Sequence, residues 1–163
     1  MEIKKFSRLS ILLALSVSLN ILESLIPFFN GYIPGIKLGL ANIISLYVLY
    51  KFSLKDAFYL GILRVFLVSI LRTGIFSTYF FFSLSGVILS IIMMYIGQKY
   101  FKLSVIGVSI LGSIFHSIGQ ILIAIILLHF NMIYYLPWIL LISIPSGILT
   151  GIISNKLIKR YWL

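Results

Sequence analysis

Charge in this chain is confined almost wholly to the gaps between long apolar runs, and that spacing decides what it can fold into. Six runs are legible, at about 8–29, 37–52, 55–73, 76–98, 104–129 and 134–158. About 20 apolar residues cross a bilayer as a helix, because lipid offers the backbone no hydrogen-bond partners and only internal pairing satisfies it. Of the 163 residues 61% are hydrophobic and 10% charged, and mean hydropathy is +1.18. A soluble domain carries roughly 25% charged residues. The expected fold is therefore an all-α integral membrane protein: a six-transmembrane-helix bundle forming a single transmembrane domain over 1–163.

The second run is short and follows Asn30-Gly31-Tyr32-Ile33-Pro34-Gly35, a turn-rich segment. The third is limited by Lys55 and Asp56 at one end and Arg72 at the other. The fourth opens with Tyr79-Phe80-Phe81-Phe82, and Trp138 and Trp162 fall near expected interfaces. A signal-peptide reading of the first 25 residues fares worse than a span. The apolar run continues through Phe29 without a small-residue cleavage site, and further runs follow.

Lysine and arginine set the orientation. With the N-terminus in the cytoplasm, that side receives Lys4, Lys5, Arg8, Lys51, Lys55, Lys99, Lys102, Lys156, Lys159 and Arg160, and the outer side only Lys37 and Arg72. That asymmetry places both termini inside. It also accounts for the net charge of +10 without a nucleic-acid partner. The chain has no Cys, which excludes disulfides, thiolate metal sites and cysteine nucleophiles.

Against this background the polar residues inside the runs are the clue to function. A charge near the bilayer centre costs at least ~2.5 kcal/mol, so it has a partner, a water-filled cavity or a ligand. Glu23 lies about six residues, or ~9 Å, from the outer end of the first span. Lys37 and Asn42 open the second, Arg64 lies near the middle of the third with Arg72 at its outer end, and Ser83 is in the outer part of the fourth. His116 and Gln120, four residues apart, share one face of the fifth. Convergence of this set would make an outward pocket with excess positive charge. Arg64 supplies a planar donor fork suited to carboxylate or phosphate, and Lys37 a point charge. Plainer readings stand beside this one. Glu23 and Arg64 would neutralise each other as a structural pair, and His116 and Gln120 would join helices. Lys37, Arg72 and His129 would serve as interfacial residues.

Small residues recur at four-residue spacing in three runs: Ser10, Ala14 and Ser18; Ser109, Ser113 and Ser117; Ser143, Gly147 and Gly151. Such stripes let helices approach closely, inside the bundle or toward another subunit, and the first is the favoured docking face for a partner helix.

The strings Leu22-Glu23-Ser24-Leu25-Ile26-Pro27, Pro34-Gly35-Ile36-Lys37-Leu38-Gly39-Leu40-Ala41-Asn42, Leu63-Arg64-Val65, Ser83-Leu84-Ser85-Gly86 and His116-Ser117-Ile118-Gly119-Gln120 occur in this order. Together they resemble the Gx transporter family, also called heptaprenyl diphosphate synthase component I. That family looks related to the substrate-binding S components of energy-coupling factor (ECF) transporters. The family usually has Asn where this chain has Ser117. The resemblance implies six helices in a bacterial inner membrane and a ligand site toward the outer face. It also implies a transmembrane coupling subunit meeting the first helix, and ATP hydrolysed by two ATPase partners. Ser10, Ala14 and Ser18 match the docking feature loosely.

Three functions compete. Prenyl-diphosphate synthesis by this chain is excluded on chemistry: it has one Asp and no DDxxD to hold Mg²⁺ on a diphosphate. It lacks G-x-x-x-x-G-K-[ST], so it has no nucleotide site of its own and no intrinsic cofactor is expected. The leading expectation is the substrate-binding subunit of an ECF-type importer for a small, anionic or partly anionic solute. The alternatives are a membrane subunit of a quinone- or flavin-linked, or isoprenoid-related, system, and a structural scaffold.

Overall fold

A computed structural model describes residues 2–25, 39–128 and 130–160, without the side chains of Glu2 and Phe130. Lys37, His129, Trp162 and the Asn30–Gly35 turn segment lie outside the described residues.

Among the described residues there are six α-helices: α1 (Glu2–Leu25), α2 (Leu40–Lys51), α3 (Leu54–Val68), α4 (Thr78–Lys99), α5 (Val105–Leu127) and α6 (Leu136–Arg160). A π-helical turn, Ser69–Thr73, continues α3, and a 3₁₀ segment, Phe130–Tyr135, leads into α6. The segments Ile3–Leu25, Thr78–Lys99, Val105–Leu127 and Asn131–Arg160 are long and apolar enough to cross a membrane. The chain is therefore a multi-pass membrane protein. Two of the six expected spans fall short of that measure. The 12 residues of α2 rise only ~18 Å, against a hydrocarbon core of ~30 Å. The 15-residue α3 reaches spanning length only by adding the π turn, and with it carries Lys55, Asp56, Arg64 and Arg72.

Serine hydroxyls start three of these helices by accepting an otherwise orphaned backbone N–H. Ser53 takes Asp56 N (3.1 Å), Ser77 takes Phe80 N (3.3 Å) and Ser104 takes Gly107 N (3.2 Å). After the π turn, Gly74 at φ 84° donates its N–H to Ser69 O (2.7 Å) and turns the chain toward α4.

The short helix α2 packs against all five others, and eight of its twelve residues are buried. Its apolar residues are spread round the helix, and none of the twelve is fully exposed. Leu46 and Val48 of α2 meet Ile91 and Met94 of α4 and Val108 of α5 in the core. Glycines let α5 and α6 approach backbone to backbone. A Cβ added to Gly147 would lie 2.8 Å from Ile110 Cα, and one added to Gly151 would lie 2.9 Å from Ile106 Cα. Ser109 and Thr150 hydrogen-bond across the same seam at 2.9 Å. The stripes on α5 and α6 thus pack on each other. At the start of α1, Lys5 pairs with Asp56 at the start of α3 (2.8 Å).

Candidate functional site

The polar residues of the apolar helices gather at one cavity of about 40 Å³. Its walls include Glu23 from α1, Asn42 from α2, Arg64 from α3, Ser83 from α4 and His116 from α5. Five residues expected to converge on sequence grounds therefore do. The space admits roughly three waters, each needing about 10–15 Å³ on this measure.

Glu23 is 3% exposed and its carboxylate bridges to the start of α2. Oε1 accepts Gly39 N at 2.6 Å and Oε2 accepts Leu40 N at 3.1 Å. Gly39 occupies the left-handed region (φ 71°), a conformation that costs glycine little, and its carbonyl accepts Asn42 N to close the first turn of α2. A carboxylate at this position satisfies orphan N–H groups and meets the positive end of the helix dipole. The one acid of the cavity wall thus caps a helix sixteen residues further along the chain.

Arg64 is 2% exposed. Its Nη1 donates to Ser16 Oγ of α1 and Ser45 Oγ of α2, both at 3.3 Å, and Nε is buried with no hydrogen-bond partner. The guanidinium feels the Glu23 carboxylate electrostatically, but its hydrogen bonds go to neutral hydroxyls. That is a weakly compensated buried cation, where a bidentate anion would bind strongly.

His116 owes its position to Gly86. A Cβ on Gly86 would fall 2.9 Å from both Nδ1 and Cε1 of the imidazole. Beside it, Ser85 Oγ donates to Gly119 O at 2.7 Å and pins α4 to α5.

Two expected site residues lie elsewhere. Arg72 is outside this cavity and donates from Nη2 to Ser24 O (2.9 Å), serving the carbonyl end of α1 from the π turn after α3. Gln120 is buried at 4% exposure but lines a smaller neighbouring cavity. His116 and Gln120 share a helical face, and one turn of α5 is enough to separate them. Lys37 lies outside the described residues. Among the described residues, the charge at the cavity is one guanidinium and one carboxylate, with His116 beside them, and Arg72 adds none there.

Asn20, Ser113, Ser117, Ser143 and Ser146 also line the cavity, and sequence reasoning did not assign them to it. Asn20 carried a signal: it interrupts the first apolar run three residues before Glu23, on the same helical face. Ser113, Ser117 and Ser143 were hidden inside stripes that also serve packing, and Ser146 carried no spacing signal. Among the described residues, no three His, Cys, Asp or Glu side chains come together where they would hold a metal ion.

The small-residue stripe on α1 is exposed at Ser10, Ala14 and Ser18. Ser10 Oγ donates to Phe6 O of its own helix (3.0 Å).

The model of the family heptaprenyl diphosphate synthase component I matches residues 12–157. The chain belongs to that family. The match runs from near the middle of α1 nearly to the end of α6, so it takes in every described residue of the cavity wall. No curated protein and no solved structure matches the chain.

Proposed function

We propose that this family member is the substrate-binding membrane subunit of an ECF-type importer, and that the cavity among α1–α6 holds a small anionic or partly anionic solute. The observation that carries the reading is Arg64: a buried guanidinium on a cavity wall whose hydrogen bonds go to two hydroxyls. Glu23 directs its carboxylate to backbone N–H groups of α2, so its compensation of Arg64 is through space. A ligand carboxylate or phosphate supplies the acceptors that Arg64 lacks, and Asn42, Ser83 and His116 add polar contacts around it. In this reading Lys37 is a further cation near the site.

The chain works without catalysis of its own. The aspartate cluster of a prenyl-diphosphate synthase is missing from its sequence, and so is a phosphate-binding glycine loop. ATP hydrolysis belongs to partner ATPase subunits, and a transmembrane coupling subunit docks on the exposed Ser10, Ala14 and Ser18 face of α1. Both termini face the cytoplasm of a bacterium, following the lysine and arginine asymmetry.

Native mass spectrometry of the detergent-extracted protein with its partners tests this. The expected result is co-isolation with ATPase subunits and a bound small solute, with solute lost in Arg64→Gln while the protein still inserts and folds. A bound quinone or flavin without ATPase subunits overturns the importer reading. Solute retained at wild-type occupancy in Arg64→Gln overturns the site.

A further inference from the structure

The smaller cavity beside the main one is about 10 Å³ and is walled by Phe82, Gln120, Ile121, Met132, Tyr135 and Ile139 among others. Ile139, 3% exposed, lines both cavities and is their shared wall. The two chambers differ in chemistry. The main one is framed by Arg64, Asn42 and serines, the smaller by aliphatic and aromatic side chains around one buried amide. A lining residue of each carries a buried polar atom with no hydrogen-bond partner: the donor Arg64 Nε on one side and the acceptor Gln120 Oε1 on the other. An unmet buried group of this kind is costly, and a buried water is held by two to four polar contacts. The smaller chamber has room for one water but mostly apolar walls, so a water there is poorly held and easily displaced.

Resting on the importer reading, we infer that the site is two-chambered and takes an elongated solute. Its anionic head sits at Arg64, and an apolar arm passes Ile139 to present a hydrogen-bond donor to Gln120. Met132 lies in the 3₁₀ segment between α5 and α6, and its flexible thioether side chain makes room for the arm. The inference accounts for the separation of His116 and Gln120: one faces the head and the other the far end of the arm. It also gives the otherwise unmet amide oxygen a partner.

The test is a ladder of probes on the purified full chain, with affinity read from calorimetry or thermal stabilisation. Inorganic phosphate and acetate supply the head, phenyl phosphate and phenylacetate add the arm, and their 4-hydroxyphenyl counterparts add the donor. Each step in the wild type should tighten binding at least about tenfold. Gln120→Leu should erase the hydroxyl step, and Ile139→Trp the arm step. Equal affinity for acetate and phenylacetate, and for the phosphate pair, overturns the two-chamber inference without any variant having to fold. If binding is also lost in Arg64→Gln, the head site and the importer reading survive that result. An arm step that persists in Ile139→Trp overturns the role of the shared wall. Wild-type protein that binds none of the probes overturns both the inference and the anion site beneath it.

Discussion

Two stripes of small residues with the same four-residue spacing meet opposite surroundings in this molecule. Ser143, Gly147 and Gly151 on α6 are buried against α5, close enough that the backbone of one helix fills the place of the other's missing Cβ. Ser10, Ala14 and Ser18 on α1 face outward, flanked by the exposed Ile11 and Leu15. Spacing says that a helix can be approached closely, and only the three-dimensional neighbours say by what. The two stripes therefore make opposite predictions for the same kind of substitution.

Enlarging the α6 stripe has the largest expected effect. Gly147→Leu drives a side chain into the α5 backbone near Ile110, where the obstacle is main chain rather than a movable side-chain tip. Overpacking of this kind costs about 3 kcal/mol. It should appear as a lower unfolding midpoint in detergent and loss of a monodisperse peak. An unchanged midpoint would break the contrast at once. Next comes the inward face of α1. Glu23→Ala uncaps α2 and leaves Gly39 and Leu40 N–H without their carboxylate, a loss of about 1–2 kcal/mol. Glu23→Gln should recover part of it, since the amide oxygen still accepts one N–H. Hydrogen exchange at the start of α2 reads the effect locally, and equal protection in all three proteins removes the capping role. Smaller still is Ser109→Ala, which deletes the hydroxyl contact to Thr150 across the α5–α6 seam. Polar contacts between membrane helices average ~0.6 kcal/mol. Thr150 keeps its bonds to Ser146 O and Gly147 O, so a modest drop in the midpoint is the expected reading.

The helical class was legible because charge and apolar length are properties of the chain itself. So was part of the cavity wall, Glu23, Asn42, Arg64 and His116 above all: a charged or polar side chain in a run of Leu and Ile is an anomaly that needs an explanation wherever the helix sits. What spacing did not carry was the partner. Glu23 and Arg64 read as natural mates, one acid and one base at similar depth. In the structure Glu23 takes backbone N–H groups that no side-chain pattern announces, and Arg64 takes Ser16 and Ser45. Arg72 read as a pocket cation, but its reach ends at Ser24 O. Ser113, Ser117 and Ser143 passed as packing residues because a serine in a helix costs little and signals little. The shortness of α2 was visible; that it lies against every other helix was not, since an all-round apolar helix looks the same whether lipid or protein surrounds it.

The smallest effect on the chain alone falls on the outward stripe, and it is the one that separates two explanations of that stripe. Ala14 is exposed on α1, so Ala14→Leu meets no neighbour within the chain and should move the unfolding midpoint of the isolated protein by under about 0.5 kcal/mol. If the stripe is a docking face, the same leucine stands where a partner helix must come close. Co-isolation with the coupling and ATPase subunits should then fall sharply while solute binding by the free chain stays at the wild-type level. Ser10→Ala and Ser18→Ala keep the surface small and should leave co-isolation intact. If Ala14→Leu changes neither stability nor co-isolation, the stripe faces lipid, and its small residues permit an approach that no helix makes.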